Sequence, residues 1–167
     1  MRPALLALLL IVTAAWAELG PLYTEEDGKF EFRPPTGWKI GEFPGLKYKI
    51  HHAATTGDGF APKINFSDEA FDGSFESYMT KAMRGVESVL KGKITTEPAI
   101  FKLDSGLLCY RSVFEAKQQD RDLRFISFQI RLEYKKAVIA TFSSLKTDGD
   151  KWDEVVAESI RTFAATK

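Results

Sequence analysis

Alternating apolar and polar residues predict that most of this chain is β-strand. The clearest alternation lies within 123–134, where every second residue is large and apolar: Ile126, Phe128, Ile130, Leu132 and Tyr134. The residues between them are polar: Ser127, Gln129, Arg131 and Glu133. This pattern predicts an antiparallel strand with one face on a core and the other in water.

Shorter strand patterns occur at several further places, which are 30–33, 38–40, 48–51, 63–66, 94–103, 107–116 and 137–144. The segment 94–103 contains Pro98. Because proline cannot donate a ladder hydrogen bond, this segment should lie at a sheet edge or carry a bulge.

Two segments have the 3.6-residue period of amphipathic helices. The first begins after Ser74, whose hydroxyl can accept a hydrogen bond from a free amide of the first turn, and stops before Gly92. Its apolar stripe is Phe75, Tyr78, Met79, Ala82, Val86, Val89 and Leu90. The second lies near the end of the chain and has the stripe Trp152, Val155, Val156, Ile160 and Phe163.

The order of elements is short strands, a helix, a meander of three or four strands, and a helix. It predicts an α+β architecture in which a single antiparallel sheet of about six or seven strands is flanked by two main helices. The predicted organisation is a signal peptide at 1–17, a flexible polar leader at 18–28 and a single α+β domain at 29–165.

The first residues have the pattern of a secretory signal peptide. Arg2 gives a positive start, 4–15 is apolar or small apart from Thr13, and Ala15-Trp16-Ala17 offers small residues for cleavage. The alternative is a membrane anchor, but a membrane span takes about 20 apolar residues and this run is shorter. We expect an exported protein, periplasmic or extracellular, with no stable membrane span after cleavage.

Charge and cysteine content exclude two classes of protein. The chain carries 23 basic and 23 acidic residues without a long basic run, whereas a nucleic-acid-binding protein normally has a basic excess or stripe. Cys109 is the only cysteine, so the chain has no internal disulfide and is not a disulfide scaffold. Its position within a predicted strand favours a small buried side chain.

The sequence presents no set of residues typical of a catalytic, cofactor or metal site. His51 and His52 are the only histidines, and neighbours on a strand point to opposite faces, so they do not readily share a metal. A metal at either would need ligands from elsewhere, such as Asp58, Asp68 or Glu69. There is no Gly-x-Ser-x-Gly motif, phosphate-binding glycine loop or calcium-loop spacing. We therefore assign no catalytic, cofactor or metal residue and expect no cofactor.

Three features bear on binding. Trp38 follows a Pro-Gly turn and is predicted to plug one end of the core, the alternative being a platform for a ligand. The loops 41–47 and 53–62 carry Phe43 and Phe60 beside glycines, on segments that a rigid sheet would present as a contact surface. A charged hairpin tip is predicted only to be solvated: Lys117, Arg121, Asp122 and Arg124.

Residues 30–38, Phe-Glu-Phe-Arg-Pro-Pro-Thr-Gly-Trp, resemble the strand, proline, glycine and tryptophan opening of the PsbP-like superfamily. The helix after Ser74, the meander and a last helix ending at 159–163 match its order of elements, so the resemblance covers most of 25–165. That superfamily includes the extrinsic PsbP proteins of photosystem II, bacterial DcrB-like exported proteins and a yeast Ran-binding protein. The resemblance implies an antiparallel sheet flanked by helices, used for binding or assembly without catalysis. The chain lacks the long bipartite transit sequence of plant lumenal proteins, so no photosystem function or metal site is carried over.

Together these observations predict a non-catalytic exported binding or assembly module whose partner is another envelope or secreted protein. One alternative is an envelope structural or stress protein without a defined ligand. Another is an enzyme, which would require a concave pocket with convergent polar groups.

Overall fold

The computed structural model describes residues 18–167, so the predicted signal peptide at 1–17 lies outside the described residues. In chain order the elements are β1 (Tyr23–Glu25), β2 (Phe30–Phe32), β3 (Lys39–Gly41), β4 (Ile50–His52), β5 (Lys63–Ala70), α1 (Phe75–Ser88), β6 (Lys93–Ile100), β7 (Cys109–Gln118), β8 (Arg121–Glu133), β9 (Lys136–Leu145), a 3-10 turn (Lys146–Asp148), α2 (Asp153–Arg161) and β10 (Ala164–Ala165). Neither helix in this part of the chain has the length and apolar composition needed to cross a membrane.

The strands form two antiparallel sheets, and the prediction of a single sheet is wrong. The main sheet has seven strands in the order β3-β4-β5-β9-β8-β7-β6, and the small sheet has three in the order β1-β2-β10. In the small sheet Ala164 lies opposite Glu31. This pairing joins segments that are far apart in the sequence, so no local pattern of residues reveals it.

Part of the segment 18–28, which is predicted as a flexible leader, lies in the small sheet. β1 pairs with β2, with Tyr23 opposite Phe32, and Leu19 forms an isolated bridge with Pro35. This pairing is made largely by backbone groups, and the segment carries few apolar residues. The hydrophobic pattern of the sequence therefore does not predict it.

The main sheet has a covered layer on each side. We call the side that contacts α2 and the small sheet the α2 face, and the side that contacts α1 the α1 face. The α2 face is buried by a cluster that includes Phe30, Phe32, Phe66, Ile126, Phe128, Phe142, Ile160 and Phe163. A separate cluster on the α1 face includes Phe71, Phe75, Tyr78, Met79, Met83, Val86, Phe114 and Phe125.

The side of β8 that is predicted to face water is therefore partly buried, contrary to the prediction. Ser127 and Gln129 are only 4% and 3% exposed, and Gln129 Nε2 donates a hydrogen bond of 2.9 Å to Ser127 Oγ. Arg131 and Glu133 are exposed as predicted. The alternation separates the two faces of the strand correctly from Ile126 to Glu133, but Tyr134, predicted on the core face, follows the strand and is exposed. The alternation also does not show which neighbours cover each face.

Two local predictions are confirmed. The amide of Ser77 donates to Ser74 Oγ at 3.1 Å, so Ser74 caps α1. The strand that contains Pro98 is the edge strand β6, and its register with β7 shifts between Thr96 and Ala99.

Trp38, the predicted plug of the core, is only partly buried. Its ring packs against Phe142 and Trp152, with centroids 6.3 and 6.0 Å away. The indole therefore covers the place where α2 meets the main sheet instead of filling the interior.

One carboxylate ties α2 to the meander. Asp153 accepts hydrogen bonds from both Nη atoms of Arg124 at 2.6 and 2.9 Å, and from Nη2 of Arg111 at 2.8 Å. Asp153 is also the first residue of α2, where a negative charge is favoured by the helix dipole. Arg124 is thus a structural residue only 13% exposed, and not part of a solvated tip.

We expect Asp153→Ala to lower the free energy of unfolding by about 2 kcal/mol, because it leaves two arginines side by side without their acceptor. Urea denaturation at neutral pH measures this change. The control is Asp150→Ala, which removes an exposed acid from the preceding turn and should change stability by about 0.5 kcal/mol or less. Equal losses in the two variants would contradict the role given to Asp153.

Candidate functional site

The two histidines of β4 point to opposite faces of the sheet, as predicted. His51 is more deeply buried than the half-buried imidazole expected at a strand end. It is fully buried on the α2 face, with ring centroids 4.5 Å from Tyr23, 4.8 Å from Phe32 and 6.4 Å from Phe66. Neither ring nitrogen finds a hydrogen-bond partner among residues 18–167. Burial, together with the charge of His52, lowers the pKa of His51 to about 4. His51 therefore acts as a neutral aromatic ring of the core at neutral pH.

The other candidate groups have structural partners or no access to solvent. Asp68 forms a salt bridge of 2.9 Å with Lys47. Cys109 is fully buried as predicted, and burial raises the pKa of its thiol to about 12, so it is not nucleophilic at neutral pH. Over residues 18–167, histidine, cysteine and carboxylate side chains do not gather in a group of three that could hold a metal ion.

The loops that carry Phe43 and Phe60 lie beside the part of the α1 face formed by β4 and β5. Nζ of Lys63, on β5, is 5.8 Å from the ring centroid of Phe43 and 5.5 Å from that of Phe60. The two aromatic rings predicted to form a contact surface are thus close to one shared ammonium group.

Between loop 41–47 and the end of α1, the α1 face forms a groove of about 320 Å³, which we call the apolar half. Its apolar lining consists of Phe43, Leu46, Ile50, Leu90, Phe114 and Phe125. Phe43, Leu46 and Leu90 are 55%, 41% and 40% exposed, so the groove has an apolar rim as well as an apolar floor. The hydroxyl of Ser143, which also lines it, is buried without a partner among the described residues.

The groove continues into a second depression of about 370 Å³, which we call the basic half. The two halves share Phe43, Ile50, Lys63 and Gln118. The side chains that line only the basic half include His52, Phe60 and Arg121. No aspartate or glutamate of residues 18–167 lines either half. Within the same residues, Lys63 and Arg121 form no salt bridge.

A tight turn fixes the first loop. The amide of Leu46 donates to the carbonyl oxygen of Phe43 at 3.1 Å. Between them stand Pro44 and Gly45, and Gly45 has a φ of +86°, which glycine adopts without strain. Phe43 and Leu46 are therefore held at the two ends of one turn.

The second loop is fixed by hydrogen bonds and by the β7–β8 hairpin. The amide and hydroxyl of Thr56 donate to the carbonyl oxygen of Phe60 at 2.8 and 2.9 Å. Nη1 of Arg121 donates to the carbonyl oxygen of Asp58 at 3.0 Å, and its guanidinium lies 5.9 Å from the Phe60 ring. Arg121 therefore positions the loop, a role that the prediction of a solvated tip missed.

A larger depression lies on the far side of loop 41–47, but its character is different. It has a volume of about 600 Å³ and includes the charged residues Glu25, Asp27, Glu42, Lys47 and Lys49. Opposite charges there are interspersed, whereas the groove combines an apolar floor with charge of one sign. The groove is therefore the stronger candidate for a binding site.

Comparison with known proteins identifies solved structures that share this architecture. No protein-family model matches the chain, and a search of the curated proteins finds no match. Among solved structures, the cyanobacterial PsbP (CyanoP) of Synechocystis sp. PCC 6803 aligns with a TM-score of 0.62 at 13% identity, covering 89% of this chain and 93% of that one. The chain has a PsbP-like fold. The resemblance predicted from the sequence is confirmed at the level of the fold.

Two further solved structures match over similar lengths. LpqN, described as involved in cell envelope biogenesis of Mycobacterium tuberculosis, has a TM-score of 0.60 at 10% identity, covering 89% of this chain and 86% of LpqN. The Saccharomyces cerevisiae Ran-binding protein Mog1p has a TM-score of 0.61 at 11% identity, covering 90% of this chain and 97% of Mog1p. At these identities the likeness establishes the fold alone.

His51 predicts how stability depends on pH. Its pKa is about 4 in the folded chain and about 6.5 when unfolded, so the unfolded chain binds the proton more readily. The stabilisation is complete above pH 6.5 and is lost as the pH falls toward 4, by about 3 kcal/mol in total. In His51→Leu this loss should be absent, so the difference between wild type and variant should change by that amount across the window.

Urea denaturation at a series of pH values between 4 and 7 measures the effect. His52→Gln is the control, because it removes the partly exposed neighbour but leaves burial, the larger cause of the lowered pKa of His51, in place. Most of the pH dependence of the wild type should therefore remain. Parallel pH profiles for wild type and His51→Leu would refute the buried neutral imidazole.

Proposed function

We propose that this chain is an exported, non-catalytic binding or assembly module that holds a protein partner in the groove. Export is supported by the signal-peptide pattern of residues 1–17. The binding role is supported by one observation above the others: exposed apolar side chains line a concave surface that continues directly into positive charge, and this charge forms no salt bridge within residues 18–167.

The rim of the groove has the composition of a protein interface. Leu90, which follows α1, is 40% exposed, and Phe43 and Leu46 stand on the opposite side of the groove. Large apolar residues that cluster at a concave surface typically mark an interaction site. Arginine and aromatic side chains, represented here by Arg121 and Phe60, are enriched where protein interfaces gain most of their energy.

The floor of the groove is rigid. It is formed by strands of the main sheet, in which β5 and β9 pair continuously from Lys63 with Ser143 to Ala70 with Lys136. A partner that binds there does not have to order the floor, which reduces the entropic cost of association.

The chemistry of the groove supports binding over catalysis. Nδ1 of His52, the histidine that lines it, donates to the carbonyl oxygen of Ala53 at 2.9 Å. Among residues 18–167 no carboxylate lines the groove beside this ring, so no imidazole–carboxylate pair for acid–base chemistry is assembled there. Two structural neighbours, LpqN with its part in envelope biogenesis and Mog1p with its Ran binding, support a binding role by analogy of fold alone.

Site-specific photo-crosslinking in the native host tests the proposal. With the photoreactive residue benzoylphenylalanine in place of Phe43, we expect an adduct of one defined mass. We expect Thr141→Trp, which fills the apolar half from its floor, to abolish that adduct. The matched control places benzoylphenylalanine at Tyr134, which is 89% exposed and follows the opposite end of β8 from Arg121.

The same products from Phe43 and Tyr134, or an adduct that persists in Thr141→Trp, would show that the groove does not hold the partner. A complete lack of adducts from Phe43 would instead support the alternative of an envelope structural or stress protein without a defined ligand.

A further inference from the structure

We infer that the partner of the groove is an acidic polypeptide segment in which a large apolar side chain is followed closely by carboxylates. This inference rests on the proposed function, and it assigns the apolar half to the apolar side chain and the basic half to the carboxylates.

Charge is the first argument. Three side chains of the basic residue types, His52, Lys63 and Arg121, converge on the basic half, and the described residues that line it include no acid. The whole chain carries equal numbers of basic and acidic residues, so this separation of charge is local. The ammonium of Lys63 and the guanidinium of Arg121 contact aromatic rings and a carbonyl oxygen instead of carboxylates. A carboxylate from a partner would supply the missing negative charge.

Size is the second argument. The apolar half, about 320 Å³, lies at the lower limit of volumes found for small-molecule sites, about 300–1,000 Å³. It has room for one or two large side chains above Phe114 and Phe125. Because the basic half adjoins it directly, residues next to such an anchor would reach Lys63 and Arg121.

Polar groups beside the apolar floor favour a peptide over an anionic lipid. Asn65, Gln118 and Thr141 line the apolar half, together with the buried hydroxyl of Ser143, which has no hydrogen-bond partner in the part of the chain from 18 to 167. The main chain of a peptide carries donors and acceptors that can pair with these groups, whereas an acyl chain would leave them unpaired at a cost in affinity.

Fluorescence anisotropy with short labelled peptides tests the inference on the purified chain. The probe peptide has a phenylalanine–leucine pair followed by two glutamates in a glycine–serine context. Comparison peptides replace the glutamates with glutamine, replace them with lysine, or replace the apolar pair with serine. We expect the probe to bind, each neutral replacement to weaken binding about tenfold, the lysine peptide not to bind, and added salt to raise the Kd of the probe.

Variants of the chain locate the binding. Lys63→Gln and Arg121→Gln should each raise the Kd of the probe about threefold to tenfold, because each removes one charge facing the carboxylates. Lys102→Gln, which removes an exposed lysine outside the groove, should leave the Kd unchanged. Because Arg121 also holds a loop, thermal melts accompany each Kd, and Lys63→Gln carries the test if Arg121→Gln is less stable.

Equal affinity for the acidic and the lysine peptide would overturn the inference. So would binding of anionic lipid vesicles, made of phosphatidylglycerol, by a chain that binds none of the peptides. If no peptide binds while the Phe43 adduct still forms and is lost in Thr141→Trp, the partner chemistry is wrong and the proposed function stands. If that adduct is also missing, both fail.

Discussion

The width of the main sheet, compared with the single helix available to cover one of its faces, determines most of this structure. Strands about 4.8 Å apart make a seven-stranded sheet about 29 Å wide, whereas a helix with its side chains is about 10–12 Å across. The cluster around α1 draws its sheet residues mainly from β7 and β8. Within the described part of the chain, β4 and β5 are covered on the α1 face only by the two short loops that carry Phe43 and Phe60. The groove lies between those loops and the end of α1.

The opposite face of the sheet is closed, and this gives the molecule one structural side and one accessible side. The small sheet packs an aromatic cluster against β5, in which Phe30 and Phe66 have centroids 4.8 Å apart. Asp153 anchors α2 through two arginines, and His51 occupies the cluster as a neutral ring. A rigid sheet supported in this way can present the loops of the accessible side with little loss of entropy on binding.

Local patterns in the sequence predict most of the elements but not their contacts. Ser74 as a cap and Pro98 on an edge strand depend on neighbouring residues, so they could be predicted. The small sheet, the cover over Ser127 and the link from Arg124 to Asp153 join distant parts of the chain. In the groove, Phe43 and Phe60 could be found as aromatic residues in glycine-containing loops. Leu90 could not, because it lies on the predicted apolar stripe of α1, yet the helix ends at Ser88 and leaves it exposed.

Cysteine accessibility tests most directly whether α1 covers only part of its face. Asn65 lines the groove and Ser127 is buried on the same face, while the native thiol, Cys109, is buried and stays unreactive. In the folded chain, a maleimide should label Asn65→Cys rapidly and Ser127→Cys only after unfolding. Rapid labelling of Ser127→Cys, or protection of Asn65→Cys in the isolated chain, would contradict the account.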